Sequence, residues 1–285
     1  MATLLFATAA LAKGEQCLGR GDSRWLVDET LVWMVNPLGP ENQLRANVCH
    51  PLYPGVEGLL FDYAAIEYGV FNYTSPVYTM GGGYISVTPL SFMQLRADVA
   101  GVGIWPIPLD GAGYFGKTSY VKNFSDATMP ARDGQFSGGI NVTLTWNLQA
   151  ELPLSERVAL QLTNSFAGDY WRVGSAPYWV NLRRDVVMAK SDWIIKDTAF
   201  LGAAVKLEPR YTLRVGAADD LTWVPRSGYV GNVVGVFASL PFRREGLLRD
   251  VEPFVRVGYY TEHGFRTGLQ LFTGFTIAWA LPYEK

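Results

Sequence analysis

The sequence predicts an all-β fold, a closed antiparallel up-and-down transmembrane β-barrel of about twelve strands. Three observations support it. Long segments alternate between apolar and polar residues, tight turns alternate with long loops, and after the N-terminus no segment approaches the roughly 20 apolar residues that a membrane helix needs. A chain that crosses a bilayer without such helices must close its sheet, because open sheet edges are not tolerated in lipid.

The clearest alternation covers residues 140–152, where apolar residues occupy every even position and Asn, Thr, Gln or Glu every odd one. Residues 269–281 behave similarly. Successive side chains of a strand point to opposite faces, so both segments are predicted as two-faced strands. The first three of the twelve predicted strands have the weakest patterns. The strands are 27–36, 43–50, 59–73, 77–89, 92–105, 139–152, 156–169, 193–207, 211–224, 230–241, 252–262 and 267–281.

The connections between these strands alternate in length. Tight turns are predicted at residues 88–91, 153–156 and 207–210, and long polar, aromatic loops at about 106–138 and 170–192. This is typical of up-and-down neighbours in outer-membrane barrels, whose periplasmic turns are short. Both chain ends are therefore expected at the periplasmic end.

The apolar face is predicted to point outward, towards lipid. A soluble barrel with its apolar face inside is the alternative, but the predicted strands are longer than the usual 5 to 6 residues or so of soluble proteins. The second face carries Thr, Asn and Gln, which suit a wet lumen. Aromatic residues near strand ends are predicted to lie at the membrane interfaces. Those at the loop side are Trp105, Trp193 and Trp223, and those at the turn side are Trp279 and Tyr283.

The composition fits a membrane surface better than a soluble one. Charged residues make up 18% of the 285 residues, against about 25% in an average soluble domain. The formal net charge of −2 gives no electrostatic reason to expect nucleic acid as a partner.

The N-terminal region divides into two short segments before the barrel. Residues 1–12 resemble the apolar core and small-residue cleavage site of a signal peptide, although the usual positive start is missing. Residues 13–24 are predicted as a periplasmic segment or a plug, and residues 25–285 as the barrel. Cys17 and Cys49 could form a disulfide in an oxidising periplasm, or remain two free thiols.

On these patterns the chain resembles bacterial outer-membrane β-barrel proteins as a class, over about residues 25–281. The final strand, 269–281, is similar to the assembly signal of such proteins. It departs from that signal because four residues follow it, where a terminal Phe is common. The resemblance implies the bacterial outer membrane as location, with outer-membrane lipid and the barrel assembly machinery as partners. It identifies no specific family, so it supplies no functional residues.

Charged residues on the inner face are the one patterned polar feature. Arg96, Arg214 and Arg256 each lie four or five residues into a predicted upward strand, and Lys206 lies near the same end. They are predicted to form a basic belt in the periplasmic half of the lumen. Either this belt selects anionic solutes, or the arginines pair with inward carboxylates and brace the wall. The carboxylates predicted to face inward are Glu67, Asp98 and Glu151.

The sequence offers little basis for a catalytic site. One possible site is at the loop rim, where Asp219, Asp220, Glu262 and His263 could approach one another as in a rim hydrolase. A hydrolase in which a His takes the proton of a Ser could hold both on one strand face, but neither His263 nor His50 has a Ser at i+2 on its own strand. Two Cys and two His at scattered positions predict no metal site, and the sequence indicates no cofactor.

The leading functional hypothesis is therefore a narrow pore for passive passage of small solutes, with the long external loops gating it or binding ligands. The rival is a structural or interaction barrel without transport, plugged by residues 13–23 or by residues 106–138. A rim hydrolase ranks last, and the chain is predicted not to be an enzyme.

Overall fold

The computed structural model describes residues 23–36, 39–56, 58, 60–121, 124, 128–208, 210–243, 248–264 and 266–282. Within these ranges, twelve long strands form the barrel and four short ones accompany it. The long strands are β1 Arg24–Val35, β2 Gly39–Pro51, β3 Ala65–Thr74, β4 Tyr78–Leu90, β5 Met93–Ile104, β7 Ser137–Pro153, β8 Val158–Val173, β11 Ser191–Glu208, β12 Tyr211–Val224, β13 Tyr229–Ser239, β15 Leu248–Glu262 and β16 Leu269–Pro282. The short strands are β6 Gly116–Lys117, β9 Tyr178–Asn181, β10 Val186–Ala189 and β14 Phe242–Arg243.

The barrel is closed by its first and last strands. Each long strand pairs antiparallel with the next along the chain, and β1 pairs with β16 from Arg24↔Pro282 to Val35↔Leu271. Every long strand thus has a neighbour on both sides, which is the condition for crossing lipid with a sheet. The predicted fold class is confirmed.

The strand boundaries follow the sequence pattern closely, with one larger difference. The ninth predicted strand, 211–224, coincides with β12. The third was predicted to start at residue 59 but starts at Ala65. The reason is local, because the amides of Phe61 and Asp62 both donate to the carbonyl of Gly58, at 2.8 and 3.1 Å. Residues in this turn cannot also pair with a neighbouring strand.

The apolar face of the barrel wall points outward. On β7, Leu144 is 53% exposed while the neighbouring Thr145 is 4% exposed. The same contrast recurs along the other strands, so the outside is a continuous apolar surface and the inside carries the polar residues. In a soluble barrel the arrangement would be reversed.

Both ends of the described chain lie at the same end of the barrel as the tight turns 91–92 and 154–157, which we assign as periplasmic. The two long external loops occur where they were predicted, at residues 105–136 and 174–190. The alternation in length is incomplete, because the four other external connections are short and the periplasmic connection between β2 and β3 is long.

An inward glycine allows close contact between β4 and β5. A Cβ at Gly82 would lie 2.0 Å from the carbonyl oxygen of Val99, whereas a Cβ at the outward Gly81 would meet nothing closer than 3.6 Å. The Gly-Gly-Gly run at residues 81–83 therefore marks a tight approach between strands, as glycine in a strand often does.

Candidate functional site in the barrel lumen

A β-hairpin from the second long external loop is the main feature of the lumen. It consists of β9, the turn 182–185 and β10, and we call it the inner hairpin (residues 178–189) and its turn the tip. β9 also pairs with β6 from the other long loop, which makes a small three-stranded sheet. At its base, the ring of the fully buried Trp179 lies 6.2 Å from Trp171 on the barrel wall and 6.1 Å from Tyr114.

The first of three attachments of the tip is a salt bridge between Arg183 and Glu41 of β2. Arg183 donates from Nε and Nη2 to the two carboxylate oxygens of Glu41, at 3.0 and 3.3 Å. Its guanidinium carbon also lies 4.7 Å from the ring centre of Tyr73. Glu41 accepts further hydrogen bonds from Tyr78 and Gln43, so this buried carboxylate is fully coordinated. A two-pronged Arg–carboxylate pair fixes orientation as well as position.

The next residue of the tip binds a different part of the wall. Arg184 donates from Nε to Asp169 of β8, at 2.7 Å. Asp169 also accepts from Asn141 and Thr143 of β7, at 2.5 and 2.8 Å. β8 is far from β2 around the closed barrel, so the two arginines extend to well-separated parts of the ring.

The last residue of the tip binds the β15–β16 turn. Asp185 has a positive φ of 56°, a conformation in which Asp is one of the tolerated residues. Its carboxylate accepts hydrogen bonds from Arg266, and His263 Nε2 lies 3.2 Å from its Oδ2. Burial alone would favour the neutral acid, but the hydrogen bonds from His263 and Arg266 outweigh it and lower the pKa of Asp185 below its ordinary 3.8.

The tip is therefore anchored at three places around the extracellular mouth. Beneath it lies a cavity of about 60 Å³, lined by the tip together with Lys196, Asp220 and Gln270. A space of this size accommodates only a few water molecules. In this conformation the inner hairpin obstructs the lumen.

The three predicted belt arginines face inward, and each is paired with a carboxylate. Arg96 pairs with Asp98 through Nε at 2.9 Å, Arg214 approaches Glu252 at 3.4 Å, and Arg256 pairs with Asp220. The guanidinium of Arg96 also lies 3.8 Å from the ring centre of Tyr84.

The prediction that Arg256 lies four or five residues into its strand is wrong. Arg96 and Arg214 are the fourth residues of their strands, but Arg256 is the ninth of β15, which begins at Leu248 rather than at residue 252. Its amino groups extend further still, to Asp220 and to the carbonyl oxygen of Val233 at 3.0 Å.

The remaining predicted lumen charges differ in burial. Glu67 is buried on the inner face of β3. Glu151 and Lys206 have the inward parity but lie at the exposed periplasmic mouth. Glu151 accepts a hydrogen bond from Gln161 at 2.8 Å.

The inner face also carries a group of phenylalanines, which we call the phenyl cluster. Rings on neighbouring strands stack, with centroids 5.5 Å apart for Phe254 and Phe272 and 6.3 Å apart for Phe237 and Phe254. The inner face was expected to carry mainly Thr, Asn and Gln, so this cluster was missed, although Phe272 has inward parity in the sequence. The members are Phe200, Phe237, Phe254 and Phe272.

The predicted interface aromatics can be placed except for one. Trp193 and Trp223 are exposed on the outer face near the extracellular end, and Trp105 lies just beyond β5 with its Nε1 donating to the carbonyl of Pro76 at 2.7 Å. Trp279 is half-buried near the periplasmic end of β16. Tyr283 lies outside the described residues.

The predicted disulfide and plugs have different outcomes. Cys49 is buried and disulfide-bonded, while Cys17 lies outside the described residues. The same holds for residues 13–22 of one predicted plug and for all of the predicted signal segment 1–12. The other predicted plug, the loop 106–138, contributes β6, which pairs with the inner hairpin.

The predicted rim site does not assemble. Asp219 and Glu262 are exposed, with Asp219 bound to Asn232 at 2.7 Å, while Asp220 points inward to Thr198 and Arg256. His263 Nδ1 accepts the backbone N–H of Arg266 at 3.1 Å while its Nε2 faces Asp185. With both ring nitrogens engaged, this His has no nitrogen available as a general base.

The second histidine has contacts that its own strand does not reveal. His50 Nδ1 lies 2.5 Å from the hydroxyl of Ser23, and its Nε2 lies 3.1 Å from the hydroxyl of Tyr68. Ser23 is the residue before β1, so a search for a Ser two residues from His50 on its own strand could not identify it. Among the described residues, no cluster of three His, Cys, Asp or Glu side chains could hold a metal ion. None of the helices in that part of the chain is long and apolar enough to span a membrane.

Comparisons with known proteins add little detail. No family model matches the sequence, and no curated protein matches it. Among solved structures, the NanC porin is 8% identical over 90% of this chain and 100% of its own, with a TM-score of 0.40. An outer-membrane protein of Vibrio cholerae, OmpT, is 9% identical over 91% of this chain and 97% of its own, with a TM-score of 0.34.

The Pseudomonas putida toluene transporter TodX is 9% identical over 91% of this chain and 89% of its own, with a TM-score of 0.28. At these scores the likenesses carry no weight for the function of this chain. The assignment comes instead from the closed twelve-strand wall, its apolar outer face and the tryptophans exposed near its ends. The chain is a closed transmembrane β-barrel of the outer-membrane type.

Proposed function

We propose that the barrel is a narrow channel for small solutes and that the inner hairpin is its gate. The observation that carries the proposal is the three-point attachment of the tip, through Arg183, Arg184 and Asp185, across the extracellular mouth. These attachments are ion pairs and hydrogen bonds with no covalent link, so the tip can be released and can dock again. The base of the hairpin, packed around Trp179, is apolar and stays in place.

A plugged barrel without transport is the second candidate. It is favoured by the pairing of Arg96, Arg214 and Arg256 with carboxylates, since internal charges that neutralise one another brace a wall rather than attract solutes. In that case the inner hairpin is a permanent plug. The two candidates differ in what happens when the tip is released.

Single-channel recording in planar bilayers tests the gate. The variant is the full chain with Arg183→Ala, Arg184→Ala and Asp185→Ala. The matched control carries Arg132→Ala and Asp133→Ala, which remove an exposed ion pair from the other long loop. We expect the tip variant to raise the open probability about tenfold or more, because several kcal/mol of attachment are lost. The control should behave as the unmodified chain.

The opposite result identifies the plugged barrel. If neither the unmodified protein nor the tip variant gives current steps, while both migrate as folded barrels on gels, the channel proposal is wrong.

We also propose that the barrel is not an enzyme and that the assembly machinery recognises its last strand. The occupied nitrogens of His263 support the first statement. Hydrolysis of a phospholipid or peptide by the pure protein that His263→Ala abolished would contradict it. The two-faced pattern of β16 supports the second, and loss of outer-membrane insertion is expected when residues 269–282 are replaced by a sequence without alternation.

A further inference from the structure

Two neighbouring strands carry an uncharged polar surface on the inner face, which we call the amide–hydroxyl wall. In the pairing of β7 with β8, Asn147 is opposite Ser165 and Gln149 is opposite Thr163. Thr145 of β7 lies above these two pairs, and Gln161 of β8 lies below them. Side chains opposite each other in an antiparallel pair have Cβ atoms about 5 Å apart. The wall comprises Thr145, Asn147, Gln149, Gln161, Thr163 and Ser165.

Five of these side chains are buried and Gln149 is half-buried, yet parts of their hydrogen-bonding capacity are unused by the rest of the described chain. Thr145, Thr163 and Ser165 are each less than 5% exposed, and their hydroxyls have no partner among the described residues. The side-chain amide oxygens of Asn147, Gln149 and Gln161 are likewise buried and have no partner among the described residues. Buried polar groups are nearly always paired, so six such atoms on one surface point to a polar occupant of the lumen.

The amides are oriented so that the wall presents acceptors. Gln161 donates its NH₂ group to the carboxylate of Glu151 and Gln149 donates its own to the carbonyl of Ser91, both at 2.8 Å. A carboxylate and a carbonyl can only accept, so these contacts fix which end of each amide is the oxygen. The free oxygens of the wall require donors, and its hydroxyls can either donate or accept.

Charges of both signs adjoin the wall, and two of the carboxylates are paired with arginines. Above it, Asp169 is paired with Arg184, and on the neighbouring β5 Asp98 is paired with Arg96. Glu151 is opposite Gln161 and the inward Lys196 is opposite Ala167, so a solute of either charge would meet like charges as well as opposite ones. The wall therefore suits a neutral solute rich in hydroxyl groups.

An apolar surface begins directly beside the wall. Phe200 of β11 is opposite Thr163 in the pairing with β8, and its ring lies 5.8 Å from that of Phe237. Polar groups for orientation next to aromatic rings for contact are the usual lining of a small-molecule site. A sugar ring offers both kinds of surface, with hydroxyls at its edge and C–H groups on its faces.

We propose that the amide–hydroxyl wall is a binding track for neutral, hydroxyl-rich solutes of the sugar or polyol class. This inference rests on the proposed channel function and names the solute class of that channel. Binding is measured separately from current, on both the unmodified chain and the variant with the three tip substitutions, because the docked tip obstructs the extracellular side of the lumen.

The test is calorimetric binding to the folded full chain in detergent, with maltose as the neutral probe. Glucuronate serves as the charged comparison, and tetraethylene glycol dimethyl ether as a solute of similar polarity that cannot donate hydrogen bonds. We expect maltose to bind and the other two to bind about tenfold more weakly or less.

Matched variants locate the site. Thr145→Val, Thr163→Val and Ser165→Ala together remove the wall hydroxyls at nearly constant shape. The control, Thr30→Val with Thr276→Val, removes two inner hydroxyls that bond to each other at 2.9 Å on the opposite side of the barrel. We expect maltose binding to weaken about tenfold or more in the wall variant and to be unchanged in the control.

Three outcomes would overturn the inference: no maltose binding, equal binding of the ether, or equal loss in both variants. Equal binding of glucuronate would overturn its neutral selectivity. Absence of current with maltose binding intact would instead count against the channel function alone, so the two failures are distinguishable.

Discussion

Arg256 connects groups on three neighbouring strands through a single inward-facing side chain. It is almost fully buried on β15, and it joins Asp220 of β12 to the carbonyl of Val233 on β13. Three neighbouring strands thus share one guanidinium. The sequence pattern correctly indicated that Arg256 faces inward, because alternation determines the face. It could not give the partner, because the height of a residue also depends on where its strand begins and on the shear of the barrel.

Removal of the Arg256 charge tests the bracing interpretation. We expect Arg256→Met to lower the free energy of unfolding by about 3–5 kcal/mol, because the buried Asp220 loses its main partner. Arg256→Met combined with Asp220→Asn should recover much of that loss. Urea unfolding in lipid vesicles, followed by tryptophan fluorescence, measures both.

The control is Arg226→Met, at an exposed external position where the guanidinium contacts only the carbonyl of Ser191 at 2.8 Å among the contacts described. A change of about 0.5 kcal/mol or less is expected there. If Arg256→Glu folds as stably as the unmodified chain and shifts ion selectivity towards cations, the belt acts on solutes and the bracing interpretation is wrong.

At the scale of elements, the inner hairpin is the feature that sequence reasoning failed to identify. Residues 170–192 were predicted as a long loop, and that is where the hairpin lies. Its strands are only four residues long, too short for a period-two pattern to be distinguished from chance. Its position depends on contacts such as Arg183 with Glu41, 142 residues apart in the chain. The one local signal was the run Arg183-Arg184-Asp185 between two apolar segments.

Acid should release one attachment of the tip. The folded pKa of Asp185 is lowered, so its contribution to docking is complete above the ordinary pKa of 3.8 and is lost as the pH falls through the lower, folded value. We expect the open probability of single channels to rise as the pH falls below 3.8.

Asp185→Asn provides the comparison, because Asn also tolerates the positive φ of this position while lacking the charge. This variant should open more often at neutral pH and change less with acid. An unmodified channel whose opening does not depend on pH down to 3 would contradict the role given to Asp185.

At the scale of the whole molecule, closure was predictable and the contents of the lumen were not. Alternation along residues 140–152 and 269–281 reports the two faces of a wall, and twelve such segments imply a closed ring. The phenyl cluster and the paired charges arise from side chains on strands distant in sequence. A local pattern carries no information about which of these meet across the lumen.

Two adjacent glycines allow closure itself to be tested. Gly82→Val would place a side chain against the backbone of β5, whereas a Cβ at the outward Gly81 makes no contact closer than 3.6 Å. We expect unboiled Gly81→Val to run differently from the boiled sample on a denaturing gel, as the closed barrel should, and Gly82→Val to lose that difference. A heat-modifiable Gly82→Val barrel would show that the close approach of β4 and β5 is dispensable.

The three attachments of the tip also have a consequence for the order of assembly. Glu41 is made early in the chain and Arg266 near its end, and the tip contacts both. The tip can therefore settle only after the last strands have joined the first. During biogenesis the barrel would pass through a stage in which its wall is complete and its mouth still unobstructed. Docking of the tip would then occur late and only on a correctly formed ring. A ring with a missing or slipped strand would not hold all three partners of the tip at the right positions.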